Sequence, residues 1–310
     1  MRAPDSRRSG DGPIRRFADQ PYLLLSLTSL FWAGNVVVAR FVTGHIPPVT
    51  LAFLRWSGAF LVLLPFAFKY LRTDWPKIRA NLPMMVLLAA TGIGAYNTIA
   101  YYGLQYTSAL NALLIQSAGP LFVAFWSLVL FRTRLTLAQA LGILTSLAGV
   151  LVIIARGDIG ALMTIGFNKG DLYFLLALMI FCIYSALMPY RPQMHALAFL
   201  GFATGCGALL NIPFVIWEVM SGHTTVFDAE TGMTLFYVII FPSVLAYLCY
   251  NRGVELIGAN RSAPFYHLIP VFGSVLAIAF LGERPQLFHF VGYALVLAGV
   301  FIAARSNPAI

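Results

Sequence analysis

Charge is what this 310-residue chain has least of: 10% of its residues are Asp, Glu, Lys or Arg, against 60% that are hydrophobic. A water-soluble globule carries roughly 25% charged residues, so the composition excludes a soluble fold and implies one embedded in a membrane. Acids are scarcer still. All eleven, from Asp5 to Glu283, fall in loops or at the ends of apolar runs. No mid-membrane carboxylate is left to relay protons or to hold a cationic drug. Cysteine is reduced to Cys182, Cys206 and Cys249, all inside apolar runs, where they read as small buried hydrophobes and not as a disulfide framework or a metal site. No serine has a glycine two residues before it, as a rhomboid-type nucleophile requires, and the five histidines make no HExxH or other zinc-ligand spacing. Intramembrane proteolysis and zinc chemistry are therefore unsupported, and neither metal nor cofactor is expected.

Apolar sequence is what the chain has in abundance. Ten stretches of about twenty residues can be marked, each long enough to cross a ~30 Å hydrocarbon core as a helix: 22–41, 49–68, 82–103, 108–131, 136–155, 171–190, 195–217, 232–252, 261–281 and 286–304. The longest connections, around 69–81, 156–170 and 218–231, hold no soluble domain. The first 20 residues are polar and arginine-rich and lead straight into a full-length span, which reads as a retained first helix and not a cleaved signal peptide. With the N-terminus inside, fifteen Lys and Arg residues lie on the inner side and four on the outer, with Arg55 left within a span. This is the positive-inside bias of a bacterial-type inner-membrane protein with both termini cytoplasmic. The net charge of +9 is thus a topology signal, and no nucleic-acid partner is expected.

The chain also superimposes on itself. Shifted by 150 positions, the segment from Gly103 to Val150 matches at eleven of 48 positions, among them Gly103/Gly253, Ala109/Ala259, Pro120/Pro270, Arg134/Arg284, Gly142/Gly292 and Gly149/Gly299. That is about twice the roughly one match in ten expected by chance from so apolar a composition. The expected organisation is an N-terminal segment (1–20), a first repeat of five spans (21–156), a linker (157–170), a second repeat (171–305) and a short tail (306–310). Five spans cross the membrane an odd number of times, so the second repeat must be inverted. Inverted repeats are a recurring construction of secondary transporters, in which two halves open a central site alternately to each side.

The run Phe31-Trp32-Ala33-Gly34-Asn35, followed by Pro47-Pro48, Phe53-Leu54-Arg55 and Pro65, resembles the first two helices of the EamA-type, drug/metabolite transporter (DMT) superfamily. Tyr102-Gly103-Leu104, Tyr106-Thr107, Ala109 and Pro120 resemble its third and fourth helices. Gly282-Glu283-Arg284, Gly292 and Ala298-Gly299-Val300 resemble its closing signature. At Arg132-Thr133-Arg134 the acidic residue of the first-half signature is absent, and the sixth span matches poorly. The resemblance implies an all-α membrane fold of ten helices in two inverted five-helix repeats, with the fifth and tenth helices packed at the rear. Within the superfamily the chain is most similar to YddG-like exporters, which implies amino acids, including aromatic ones, as substrates.

Certain residues stand out as candidates for the transport path. Pro120 and Pro270 each remove one helical hydrogen bond and free the carbonyl four residues earlier, that of Gln116 or of Tyr266. Beside these stand Ser117 and His267, so each repeat places a polar pair near mid-bilayer. Gly103 and Gly253 are candidate hinges with the two prolines. Arg55 sits well inside a span, where a charge costs at least ~2.5 kcal/mol at the centre. It either snorkels or bonds a carbonyl, or meets a substrate carboxylate. Trp32 and Asn35, three apart on one helical face, fall mid-span. Tyr96, Tyr101, Tyr184, Tyr247 and Tyr250 are candidates for an aromatic lining that would stack on apolar side chains.

These readings converge on an exporter of aromatic and other apolar amino acids. Without a carboxylate relay, it is expected to be facilitative, with His267 the only mid-membrane group that titrates near neutrality. The alternatives are a carrier of nucleotide sugars, sugar phosphates or drug-like compounds, and, from other classes, an intramembrane enzyme or a receptor. Phosphorylated substrates should require several basic side chains in the cavity, and Arg55 alone is a meagre supply.

Overall fold

The computed structural model describes residues 17–132, 136–158, 168–257 and 263–304, and within them every regular element is helical. Residues 1–16, most of the 157–170 linker, Thr133, Arg134, Ala259, Arg261 and the 306–310 tail lie outside the described residues. Ten helical segments follow one another: α1 (Pro21–Phe41), α2 (Pro48–Ala80), α3 (Leu82–Leu104), the two pieces of α4 (Ala109–Gln116 and Gly119–Phe131), α5 (Leu137–Ile154), α6 (Lys169–Leu187), α7 (Ala196–Met220), α8 (Ala229–Ile257), α9 (Leu268–Leu281) and α10 (Leu287–Ala304). Seven are long and apolar enough to cross a membrane, eight when the two pieces of α4 are counted as one span bent by 46°. α9 and α10 are shorter apolar helices that complete the expected ten.

The second span departs furthest from its expected length. The sequence places a loop at 69–81, but α2 continues as a helix to Ala80 through Pro65 and Pro76. Beyond the apolar stretch its inner face still finds burial, with Leu71 and Ile78 packed in a cluster with Leu88 and Leu200. Its Asp74 carboxylate accepts from Lys77 Nζ at 2.7 Å and from the His195 N–H at 2.8 Å, at the N-terminus of α7. At the other end the arrangement is reversed. Glu218 in the last turn of α7 accepts from the Val49 N–H at 3.1 Å, the Thr50 N–H at 2.8 Å and Thr50 Oγ1 at 2.8 Å, satisfying donors that the start of α2 leaves free. α2 and α7 therefore run antiparallel, each capped by the other's acid. Because they are the second helices of their repeats, the repeats are inverted.

Glu218 is buried, so its loss strands three donors. Glu218→Ala is expected to destabilise the protein by about 2–4 kcal/mol, from charge-assisted bonds lost and buried donors left unpaired. Glu218→Gln should cost less than half of that, because one acceptor oxygen remains; thermal unfolding in detergent measures both.

The 150-residue period extends to details of the backbone. A π-helical turn interrupts α3 at Ala90–Gly94 and another interrupts α8 at Ile240–Leu245. A capping box closes the start of α5, with Gln139 accepting from the Thr136 N–H at 2.9 Å, and in α10 the Gln286 N–H donates in the same way to His289 Nδ1 at 2.8 Å. Gly103 lies against the backbone of Gly170 in α6, and its mate Gly253 lies against Leu25 in α1. α5 and α10 meet through Gly142, Gly149, Gly292 and Gly299, where backbones come into direct contact. A buried apolar core fills the end of the bundle opposite the start of α1, built around Ala109–Ile115 of α4 with Val36, Val37, Ala100, Leu104 and Leu178. The start of α4 is fixed there by Glu283, which accepts from the Ala109 N–H at 2.8 Å and the Leu110 N–H at 2.9 Å.

Candidate substrate cavity

Arg55 is 3% exposed and does not snorkel. Its Nε donates to Ser243 Oγ at 2.7 Å; its Nη1 lies 3.0 Å from Asn35 Oδ1, 2.8 Å from Asn97 Oδ1 and 2.6 Å from the Tyr101 hydroxyl. The Tyr101 hydroxyl in turn donates to Asn35 Oδ1 at 2.7 Å. One guanidinium thus joins α1, α2, α3 and α8. Its carbon also sits 4.4 Å from the centre of the Trp56 ring. Every partner is neutral: among the described residues no carboxylate lies within ion-pair distance of Arg55, and Nη2 has no hydrogen-bond partner. A buried cation with neutral acceptors alone is costly and electrostatically unfinished.

The π turns put two of these partners in place. Pro242 has no N–H to give the carbonyl of Val238 four residues earlier, and Ser243 Oγ takes up that carbonyl at 2.7 Å. The wider turn also frees the Pro242 carbonyl to accept from Trp32 Nε1 at 3.1 Å. In α3, Gly92 lies where a side chain would collide with the Tyr184 ring, with a Cβ only 2.4 Å from Tyr184 Cδ2. Asn97 follows this turn and is steadied by its own bond to the Ile93 carbonyl at 3.3 Å. Such turns are frequent at functional sites because they re-aim side chains without ending the helix.

Arg55 forms part of the wall of a cavity of about 250 Å³. The first repeat supplies Trp32, Asn35, Val36, Arg55, Tyr96, Asn97 and Gln116; the second supplies Phe181, Tyr184, Ser185, Met188, Tyr247, Tyr250 and Tyr266. The division is chemical as well: amides and the cation come from the first repeat, most of the aromatic rings from the second. Trp32 is ringed by Tyr247, Tyr250 and Tyr266 at centroid distances of 5.7, 5.6 and 5.4 Å, and Tyr96 lies 4.7 Å from Phe181. The cavity lies against the second half of α1 and the last turns of α6, and the apolar core around Ala109–Ile115 adjoins it, sharing Val36 with its wall.

The proline breaks meet beside it. Gln116, Ser117 and Pro120 from α4 face Tyr266, His267 and Pro270 from the start of α9 across a gap of about 10 Å³, room for roughly one water. Ser117 Oγ is bonded to the Leu114 carbonyl at 2.5 Å, Ser29 Oγ to that of Phe265 at 2.7 Å, and the Tyr293 hydroxyl to that of His267 at 3.4 Å. Ser117 and His267 therefore line the gap and not the main cavity, while Gln116 and Tyr266 border both. Gly103 and Gly253 lie at helix crossings away from both spaces.

Sequence reasoning missed Asn97, Ser243 and the rest of the α6 stripe beside Tyr184. Asn97 precedes Tyr101 by four residues, a spacing that puts two polar groups on one face. Phe181, Tyr184, Ser185 and Met188 stand at i, i+3, i+4 and i+7, a single helical face that was legible in principle. A polar chain at the sealed end was also missed. Asp171, fully buried at the start of α6, accepts from Thr107 Oγ1 and from Asn111 Nδ2 at 3.2 Å, and Asn111 Oδ1 lies 3.0 Å from His289 Nε2.

The pattern of the EamA-like transporter family matches residues 20–155 and again 168–305. The chain is 26% identical to an uncharacterized transporter, YyaM, of Bacillus subtilis, across 91% of this chain and 93% of that one. It is 27% identical to a probable terminal-alkyne amino-acid exporter of Streptantibioticus cattleyicolor, across 91% of this chain and 92% of that one. A solved crystal structure with 18% sequence identity superposes with a TM-score of 0.59 over 91% of this chain and 96% of its own, a likeness of fold. Matched along both halves, the chain belongs to the EamA-like transporter family of the DMT superfamily.

Proposed function

We propose that the protein exports apolar and aromatic amino acids across a bacterial inner membrane, by alternating access of its two inverted repeats and without obligatory proton coupling. The observation that carries this reading is Arg55, a buried cation with no anionic partner among the described residues, in the wall of a cavity otherwise rich in aromatic rings. A substrate carboxylate completes its electrostatics, and an apolar side chain stacks against Trp32 and the tyrosines. The named activity of the Streptantibioticus relative supports the same substrate class. With the N-terminus on the cytoplasmic side, as the fifteen-to-four distribution of basic residues favours, the end of α6 that lines the cavity is its cytoplasmic end, the side on which an exporter loads. Arg55 is the sole basic residue among those lining the cavity, which speaks against phosphorylated sugars.

The test is counterflow in liposomes containing the purified protein. Labelled phenylalanine and tryptophan are expected to accumulate against a preloaded unlabelled pool, and nucleotide sugars and cationic dyes are not. Collapsing the proton gradient should leave the rate unchanged. Uptake confined to dyes would refute the substrate class, and full dependence on the gradient would refute facilitation.

A further inference from the structure

Resting on the amino-acid reading above, we propose that Asn35 is the second half of the carboxylate site: its Nδ2 donates to one oxygen of the substrate carboxylate while Arg55 Nη2 takes the other, and its neutrality makes the site select acids over amines.

The orientation of the Asn35 amide is fixed by its neighbours. Its Oδ1 lies 3.0 Å from Arg55 Nη1 and 2.7 Å from the Tyr101 hydroxyl. A guanidinium can only donate, so the atom facing it is the oxygen and the NH₂ is turned away. Asn35 stands half-buried in the cavity wall, and its Nδ2 has no hydrogen-bond acceptor among the described residues. Arg55 Nη2 is in the same condition. Neither nitrogen is sealed off: among the described residues, the fully buried side-chain polar atoms without a partner are Trp56 Nε1, Gln116 Oε1 and Ser146 Oγ. The two donors are each one atom removed from the ends of the 3.0 Å contact that joins their residues. The two oxygens of one carboxylate therefore reach both with ordinary hydrogen bonds of about 2.9 Å. Asn97 is not equipped to do the same. Its Oδ1 also braces Arg55, at 2.8 Å, but its Nδ2 is committed to the Ile93 carbonyl at 3.3 Å.

Asn35 follows Trp32 by three residues on one face of α1, and both line the cavity. A carboxylate held at Asn35 leaves the substrate's side chain beside the indole and the tyrosines around it. The identity of the residue also matters electrically. A carboxylate in place of this amide would pair with Arg55 from within the protein and complete the charge that a substrate otherwise completes. Asn35 braces the cation without neutralising it and adds a donor for the anion.

The experiment measures equilibrium binding of L-phenylalanine and of L-phenylalaninol, whose carboxylate is replaced by a hydroxymethyl group, to purified wild type, Asn35→Asp, Asn35→Ala, Asn97→Ala and Arg55→Leu, with thermal unfolding as the check on folding. Wild type is expected to prefer phenylalanine by about tenfold or more, the worth of at least one charge-assisted bond. Asn35→Asp should weaken phenylalanine by about 100-fold and retain phenylalaninol, so that the preference reverses. Asn35→Ala should weaken phenylalanine alone, by about tenfold, and Asn97→Ala by less, since it removes a brace and no free donor. If Asn35→Ala does not fold, the Asn35→Asp comparison decides. A preference undiminished in both Asn35 variants overturns the assignment, as does equal weakening of the two ligands, or an Asn97→Ala loss as large as that of Asn35→Ala; in each case the Arg55 pairing stands if Arg55→Leu weakens phenylalanine selectively. Equal binding of the two ligands by wild type, or no binding of phenylalanine, overturns the Arg55 pairing and this assignment with it.

Discussion

Arg55→Leu is expected to lower phenylalanine counterflow by about 100-fold or more, in protein that is still folded. Removing one partner of a buried, hydrogen-bonded charge pair costs about 2–5 kcal/mol of affinity, and each 1.4 kcal/mol is a factor of ten. The effect is large because the charge is already positioned: Ser243, Asn35, Asn97 and Tyr101 hold one edge of the guanidinium from three other helices. Nothing remains to be ordered when a carboxylate arrives. The same bonds make the residue structural, because Leu leaves Asn35 and Asn97 with acceptors in an apolar setting, and a fall in melting temperature should accompany the functional loss. Arg55→Lys separates the roles. It keeps the charge but offers three donors on a point-like ammonium, which cannot bridge Ser243 and the α1–α3 amides while also presenting a free edge to the cavity. About tenfold loss is expected for it. Unaltered kinetics in folded Arg55→Leu would end the assignment of Arg55 to substrate.

The distinction between Arg55 and its partners shows where sequence reading works and where it stops. A charge within an apolar span is visible because it breaks a rule of composition, and so are prolines and a tryptophan at mid-span. The 150-residue period foretold the inversion, and the facing of Gln116–Pro120 against Tyr266–Pro270 followed from it. Ser243 carries no such mark, since a serine beside a proline is common in membrane helices. It reaches Arg55 because Pro242 forces a π turn, and that turn requires the whole of α8 to be fitted against α1 and α2. The capping of α2 by Glu218 and of α7 by Asp74 was equally hidden, since acids at span ends read as solvated until a facing helix terminus is known. The sixth span, which matches the superfamily pattern poorly, turns Phe181, Tyr184 and Met188 to the cavity.

Gly149→Leu is expected to have the largest effect on stability, with Gly299→Leu close behind. A Cβ at Gly149 would lie 2.6 Å from the Gly292 carbonyl oxygen and 2.9 Å from both Leu295 Cβ and the Val296 nitrogen. At Gly299 it would lie 2.5 Å from the Gly142 carbonyl oxygen and 2.7 Å from the Ser146 nitrogen. The obstructing atoms are backbone or a Cβ fixed to it, so no side chain can swing aside, and α5 and α10 must separate along their length. In a bilayer this contact has no hydrophobic drive behind it and depends on close packing; losing it should cost about 3 kcal/mol or more, at the upper end of overpacking penalties. Most of the protein should then be lost as aggregate on detergent extraction. Gly232→Ala is the control. It too is a helical glycine, but nothing lies within 4 Å of its added Cβ, so the change should be neutral or stabilising by about 0.5–1 kcal/mol. The cavity draws no residue from α5 or α10. Whatever fraction of Gly149→Leu survives folded should bind phenylalanine with wild-type affinity, whereas a shifted Kd in the surviving fraction would mean that the α5–α10 contact helps to set the geometry of the site.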